Sequence, residues 1–493
     1  MVVPSRNRAA ARRLTLVVSL LLMLGLGWAT SGTFGATDPG PAPSVPTADC
    51  GPGSHPETSI QGRVPAADYA SGRAAEGYTC NAEEVGHQGS SGGFKTLRYT
   101  DSQGHTCAFY DSTLLIGRDI IQGVFNGDGQ GVVVLDMTDP THPVKTANLI
   151  TPGMLSPHES LLVNEPRGLL AAEMGTAATL PGILDIYDVK TDCRHPRHLS
   201  TTLSSLFGHE SGFSPDGRTW YASGAAVGFA AIDVSDPRHP HTLFQQIGVQ
   251  YHGMRLSNDG RTLYAAHIGN VSPTGLTGGG LRILDVSQIQ DRVPHPTVPI
   301  LSTITWHGVS IPQVAEPFTR DGHQYLFEVD EFIDLFSASG LTNLKQSPVG
   351  AARIIDVDDP RHPTIVSDVR LAVHQPENRT DDQFRDPGAS FPAQGYAAHY
   401  CGVPTRDNPE IAGCSMILSG LRLFDIRDVE HPREVAYFNK PVVKPTKVFG
   451  TGAYAMSQPA WDPAHDSVWY TDTNTGFYVV KLTNGVEDLL PRS

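Results

Sequence analysis

Cationic residues are scarce in this chain. It carries 36 Lys and Arg against 51 Asp and Glu, a formal net charge of −15. A surface of that sign repels nucleic acid and anionic lipid, which excludes both as partners. No cysteine pair has the CxxC spacing that a thiolate zinc site uses, although six cysteines are present at 50, 80, 107, 193, 401 and 414. No GxSxG elbow presents a nucleophilic serine. The glycine-rich GLTGGG at 275–280 precedes a strand instead of opening a helix, so it makes no phosphate cradle. NGDGQG at 126–131 lacks the spacing and the distal Glu of a calcium loop and reads as a hairpin turn. Helical periodicity is weak throughout, with EFIDLFSAS at 331–339 the one short helix expected, inside a long insertion.

Long apolar runs are also missing. The longest, at 14–28, has 15 residues, short of the ~20 that span a bilayer. Arg6, Arg8, Arg12 and Arg13 precede it and small residues follow. That order gives a signal peptide over 1–36, with a membrane anchor as the alternative. Cleavage would remove four arginines and no acid, leaving a secreted or cell-envelope protein with no membrane attachment. In that compartment six cysteines suggest disulfides. Cys401 and Cys414 flank one hairpin and are the expected pair. Residues 37–76 are Pro/Gly-rich and aperiodic, and read as a flexible leader.

What the chain does have is repetition. VVVLDMTDPTHP (132–143) returns as ILDIYDVKTDCRHP (183–196), FAAIDVSDPRHP (229–240), LRILDVSQIQDRVPHP (281–296), ARIIDVDDPRHP (352–363) and LRLFDIRDVEHP (421–432). FYVVKLTNG (477–485) is a worn copy. The aligned Asp residues, 136, 188, 233, 285, 356 and 425, are spaced by 45 to 71 residues, which suits a four-stranded sheet with its loops. In the third unit HESGF (209–213), TWYAS (219–223), FAAID and TLFQQIG (242–248) alternate apolar and polar residues and are separated by turns. Seven such units fill 77–493. The last lacks a fourth strand, and YTCNAEEVGH (78–87) is a strand without a neighbour. We therefore expect an all-β, seven-bladed β-propeller of four-stranded blades, closed by an N-terminal strand that completes the last blade.

The repeat, apolar-apolar-Asp-(Val/Ile)-x-Asp-Pro-x-x-Pro over about 130–485, resembles that of the LVIVD-repeat family of exported β-propellers. The resemblance implies fold and secretion. More distantly the chain is similar to the selenium-binding and methanethiol oxidase propellers, whose channel histidines bind copper. No local motif transfers their residues to this sequence.

Candidate chemistry comes from register. Seven residues before the first turn of three consecutive units stand His158, His209 and His252, and the sixth unit gives His399. The seventh gives Gln458, and the fifth gives Val314 or, with an insertion, His307. Each position opens an innermost strand, so these imidazoles would line one axis and could hold a transition metal ion, copper ahead of zinc by the distant resemblance. Glu159 and Glu210 follow two of the histidines and, by strand alternation, would face the space between blades, there to orient a neighbouring histidine or be hydrogen-bonded. Glu173 and His267, fifteen residues after His158 and His252, are expected to support the ring. Glu328, Asp330 and Glu331 would make the channel mouth acidic. The histidines before proline in the repeated turns (142, 195, 239, 295, 362 and 431) would satisfy backbone on the rim.

Two function classes follow. One is a metal-dependent oxidoreductase acting on a small molecule. The other is a non-catalytic extracellular propeller that presents its face to a protein, glycan or small ligand.

Overall fold

The structure, a computed structural model, describes residues 42–112, 131–175, 181–206, 208–224, 227–272, 275–306, 311–331, 350–390, 395–446 and 450–492. The expected signal peptide, the helix at 331–339 beyond its first residue, and most of the 126–131 turn lie outside them. So does His307.

Seven four-stranded antiparallel blades form a ring. Their innermost strands are Thr96–Thr100, Leu162–Asn164, Ser211–Phe213, Tyr251–Leu256, Ile311–Arg320, Tyr400–Gly402 and Ala460–Asp462. Each blade's third strand carries the repeated motif, and the motif's aspartate ends it with an Asx turn. The carboxylates of Asp136, Asp188, Asp233, Asp285, Asp356 and Asp425 accept the backbone N–H two residues on at 2.7–3.0 Å. Among the turn histidines, His142, His239, His362 and His431 pair with the aspartate three residues earlier at 2.8–3.1 Å, where backbone had been expected. They are exposed and distant from any core.

A single blade cannot bury both faces, so the core is divided among the seams. Seven apolar clusters each join two consecutive blades, the last of them packing Trp469 and Phe477 of blade 7 on Ala108 and Val133 of blade 1. Each fully buried aromatic there contributes roughly 2–3 kcal/mol. This is how a ring of sheets becomes one body.

Closure differs in one detail from expectation. The stretch 78–87 is two strands. Tyr78–Cys80 pairs with Arg433–Asn439 as a fifth strand of blade 6, and Ala82–Gln88 pairs with Gly476–Leu482 to complete blade 7. Asn81 between them has φ 52°, a left-handed conformation that ends one strand and starts the next.

The leader is also different. From residue 42 it is fixed against blades 5 and 6, with Val45 N–H on the Arg370 carbonyl, Gln61 on Glu434 and Arg63 on Asp386. Composition suggested flexibility because these partners are more than 300 residues away. Three disulfides are formed, Cys50–Cys80, Cys107–Cys193 and the expected Cys401–Cys414, which fits an exported propeller. Among the described residues no helix is long and apolar enough to cross a membrane.

Candidate metal centre

The innermost strands bring His158, His209, His252 and His399 to one place on the axis, and Glu159 sits among them. Its carboxylate lies 3.9 Å from His158 Nε2, 3.3 Å from His209 Nε2, 3.0 Å from His252 Nε2 and 3.4 Å from His399 Nε2. Glu331, ending the second strand of blade 5, adds a second carboxylate 3.0 Å from His399 Nε2 and 3.7 Å from His252 Nδ1. Ligand atoms of His158, Glu159 and His209 lie within 4.8 Å of one another, as do those of Glu159, Glu331 and His399. All six residues are buried.

Glu159 orients histidines of other blades, one of the two roles its position allowed, but it reaches them by another route than alternation. His158 has φ 51° and both residues precede the strand Leu162–Asn164, so the side chains are not held to opposite faces. Glu210 takes the other role. It accepts bonds from Lys95 Nζ at 2.8 Å and Tyr400 OH at 3.1 Å.

Two imidazoles are oriented from behind. His252 Nδ1–H donates to the Pro312 carbonyl at 3.0 Å and His399 Nδ1–H to the Met456 carbonyl at 2.8 Å, which turns both Nε2 atoms inward. Phe94 fills the blade 1 position, with its ring 4.5 Å from that of His158 and 5.0 Å from that of His399.

Burial pushes His158 down to about 3, so it is a neutral imidazole ready to ligate. Burial works in the same direction on His252 and His399, but Glu159 and Glu331 outweigh it and hold both up at about 9. Burial would raise Glu159, yet the imidazoles around it keep it well below the usual carboxylate range.

Beneath the ring lies a second layer of charge. Arg255 reaches Glu210 at 3.4 Å and Glu316 at 2.8 Å, Arg406 reaches Glu316 at 3.4 Å, and Gln458 Oε1 accepts from Lys95 at 3.3 Å. Gln458 therefore belongs to this layer and not to the ring. Val314 packs in the seam between blades 5 and 6. Glu173 and His267 are not seen to touch the ring either. Glu173 accepts from the hydroxyls of Ser204 and Ser205, and burial raises it to about 8. His267 bonds the Gln250 carbonyl, and burial lowers it to about 4. Both end the second strands of their blades, the returning strands on which their spacing placed them, and the bonds they make there go to other groups. Glu328 and Asp330 pair with Arg353, so of the three expected acids only Glu331 faces the histidines.

The donor set fits a cation. Glu159 Oε2 is buried 3.3 Å from His209 Nε2 and 3.0 Å from His252 Nε2, and Glu331 Oε2 is buried 3.0 Å from His399 Nε2. Imidazole nitrogens and carboxylate oxygens converging at these distances form a donor set that could take a metal ion in place of the protons they share.

No family model matches this chain, and no curated protein does. Solved structures similar to it include a β-propeller domain from Myceliophteria thermophila, at 11% identity and TM-score 0.46 over 80% of this chain and 99% of that one. A putative 6-phosphogluconolactonase from Bacteroides fragilis follows at 9% identity and TM-score 0.42, covering 78% and 92%. A functionally unknown protein from Desulfotomaculum acetoxidans gives 11% and 0.41, covering 70% and 89%. Likeness at this level carries no argument about activity.

Proposed function

We propose that the axial cluster is the centre of an exported, transition-metal-dependent oxidoreductase acting on a small molecule. The observation that carries this reading is the convergence of four buried imidazoles on the buried carboxylates of Glu159 and Glu331. Four histidines and two carboxylates offer more donors than tetrahedral zinc uses, and a nitrogen-rich set of this kind suits copper first and zinc second. The resemblance to methanethiol oxidase propellers points the same way, and the LVIVD-type repeat with three disulfides supports export.

His158, His209, His252 and His399 would hold the ion, with Glu159 or Glu331 as a further ligand. A bound copper ion would supply Lewis acidity and one-electron exchange. The chain's own residues do the rest. Pro312 and Met456 carbonyls fix two imidazole tautomers, Phe94 keeps water from one side, and the Lys95–Glu210–Arg255–Glu316 layer holds the inner strands at constant spacing.

The test is the metal content of the mature protein purified without a His tag, beside His158→Ala and His209→Ala. About one equivalent of a transition metal, lost in both variants, is the expected result. A protein that takes up neither copper nor zinc overturns the reading and leaves a propeller that binds a protein, glycan or small ligand at its face.

A further inference from the structure

Blades 1, 2, 3, 4 and 6 each place an aromatic or imidazole ring at the axial cluster; blade 5 supplies Glu331 from its second strand. Its innermost strand contributes something else. Arg255 and Glu316 lie at one level, joined at 2.8 Å across the channel-side ends of blades 4 and 5. Three residues toward the ring from Arg255 is His252, and three from Glu316 is Gln313. The two strands share an irregularity there. Pairing skips a step between Tyr251 and Met254 in blade 4, and between Pro312 and Val314 in blade 5. Gln313 is thus the register counterpart of His252, one residue from where uninterrupted counting points.

The two strands also touch at this level. Pro312 supplies the carbonyl that holds His252, and a Cβ on Gly253 would meet the Gln313 carbonyl oxygen at 2.2 Å. Gln313 is fully buried, and neither its amide nitrogen nor its amide oxygen has a hydrogen-bond partner among the described residues. A buried primary amide with both ends unmatched is costly, and a native protein that keeps one has a reason for it, such as strain, an ordered water or a ligand.

We infer that the Gln313 carboxamide is the fifth-blade member of the ring and hydrogen-bonds a small exogenous ligand of the metal: water, hydroxide or a compact anion. The inference rests on the metal reading above. An amide suits this task because it donates and accepts, so it can follow a ligand that changes protonation, and it competes poorly with four imidazoles for the ion itself.

Azide is the probe. The copper-loaded full-length mature protein is titrated with azide and followed by its charge-transfer absorbance, beside Gln313→Met and Gln313→Leu. Both variants should keep the wild-type copper content while azide binds about tenfold more weakly. In the metal-free state they should melt at or above wild type, since an apolar side chain replaces an unmatched amide. Unchanged azide affinity in a copper-loaded variant overturns the inference. Loss of copper makes Gln313 a ligand in its own right and overturns it too. Melting below wild type in both metal-free variants would mean that the amide is matched within the protein, which overturns it equally. A wild-type protein that takes up no metal sinks the metal reading and this inference together.

Discussion

Glu159 Oε2, from blade 2, lies 3.0 Å from His252 Nε2, which blade 4 supplies from across the intervening blade. One carboxylate therefore ties together the inner ends of three blades, through His209 and His252, and reaches a further blade at His399.

That position makes Glu159 the most informative substitution. Glu159→Gln keeps the shape and removes the charge that supports the imidazoles. We expect metal affinity to fall about 10–100-fold, measured by competition with a chromophoric chelator, with the β-rich circular dichroism spectrum retained. Affinity within twofold of wild type would show that the carboxylate takes no part.

Asn81 controls closure of the ring. Its left-handed φ separates the blade 6 strand from the blade 7 strand, and its amide bonds Gly51 N–H at 2.8 Å, the Asp49 carbonyl at 2.9 Å and the Val435 carbonyl at 2.8 Å. Asn81→Gly loses the bonds and keeps the conformation, at about 2 kcal/mol. Asn81→Ala adds the left-handed strain of about 1 kcal/mol or more. Urea unfolding should therefore rank wild type above Gly and Gly above Ala, and equal midpoints for the two variants would remove the backbone from the account.

These cases show what the sequence could convey. Blade number and the four ring histidines were legible because each depends on a repeat and a fixed count to a turn. For Glu159 one of two roles left open, contact with a histidine of the adjacent blade, is seen at His209. His252 and His399 lie beyond it, and alternation did not describe the route, since His158 lies before the strand with φ 51°. Gln458 lies a level below the ring, and Val314, one residue past the skipped pairing in blade 5, turns into the seam, because a bulge changes the count without a composition signal. The leader hid its order for a different reason: its partners, Arg370, Asp386 and Glu434, are remote in sequence.

His267 sets an acid limit. Burial holds it near 4, below the ordinary 6.5, so the native protein keeps it neutral while the unfolded chain protonates it. Between those values the unfolded state binds more protons, and stability falls as pH drops from 6.5 to 4. Partial exposure reduces the effect to about 2 kcal/mol. His267→Asn, which can still donate to the Gln250 carbonyl, should flatten the stability profile across that window while changing little at pH 8. An unchanged slope would assign the acid sensitivity to other groups.

The three disulfides differ in the loops they close, and that difference predicts their ranking. Cys107–Cys193 links blade 1 to a turn of blade 2 across 86 residues, Cys50–Cys80 spans 30, and Cys401–Cys414 spans 13 within one hairpin. Loop-closure entropy gives losses of about 4–5, about 3–4 and about 3 kcal/mol when each pair is changed to serine. Two effects act on that order. Cys50–Cys80 also fastens the leader beside the fifth strand of blade 6, so its loss should release residues 42–76 before the ring opens, seen as early protease cleavage there. Cys401 and Cys414 are direct cross-strand partners at the inner edge of blade 6, close to His399, and their hairpin is already held by backbone pairing. Their removal should cost the least stability. A Cys401→Ser/Cys414→Ser protein that unfolds earlier than the Cys107→Ser/Cys193→Ser protein would mean that hairpin geometry at the ring, and not loop length, sets the contribution of each bridge.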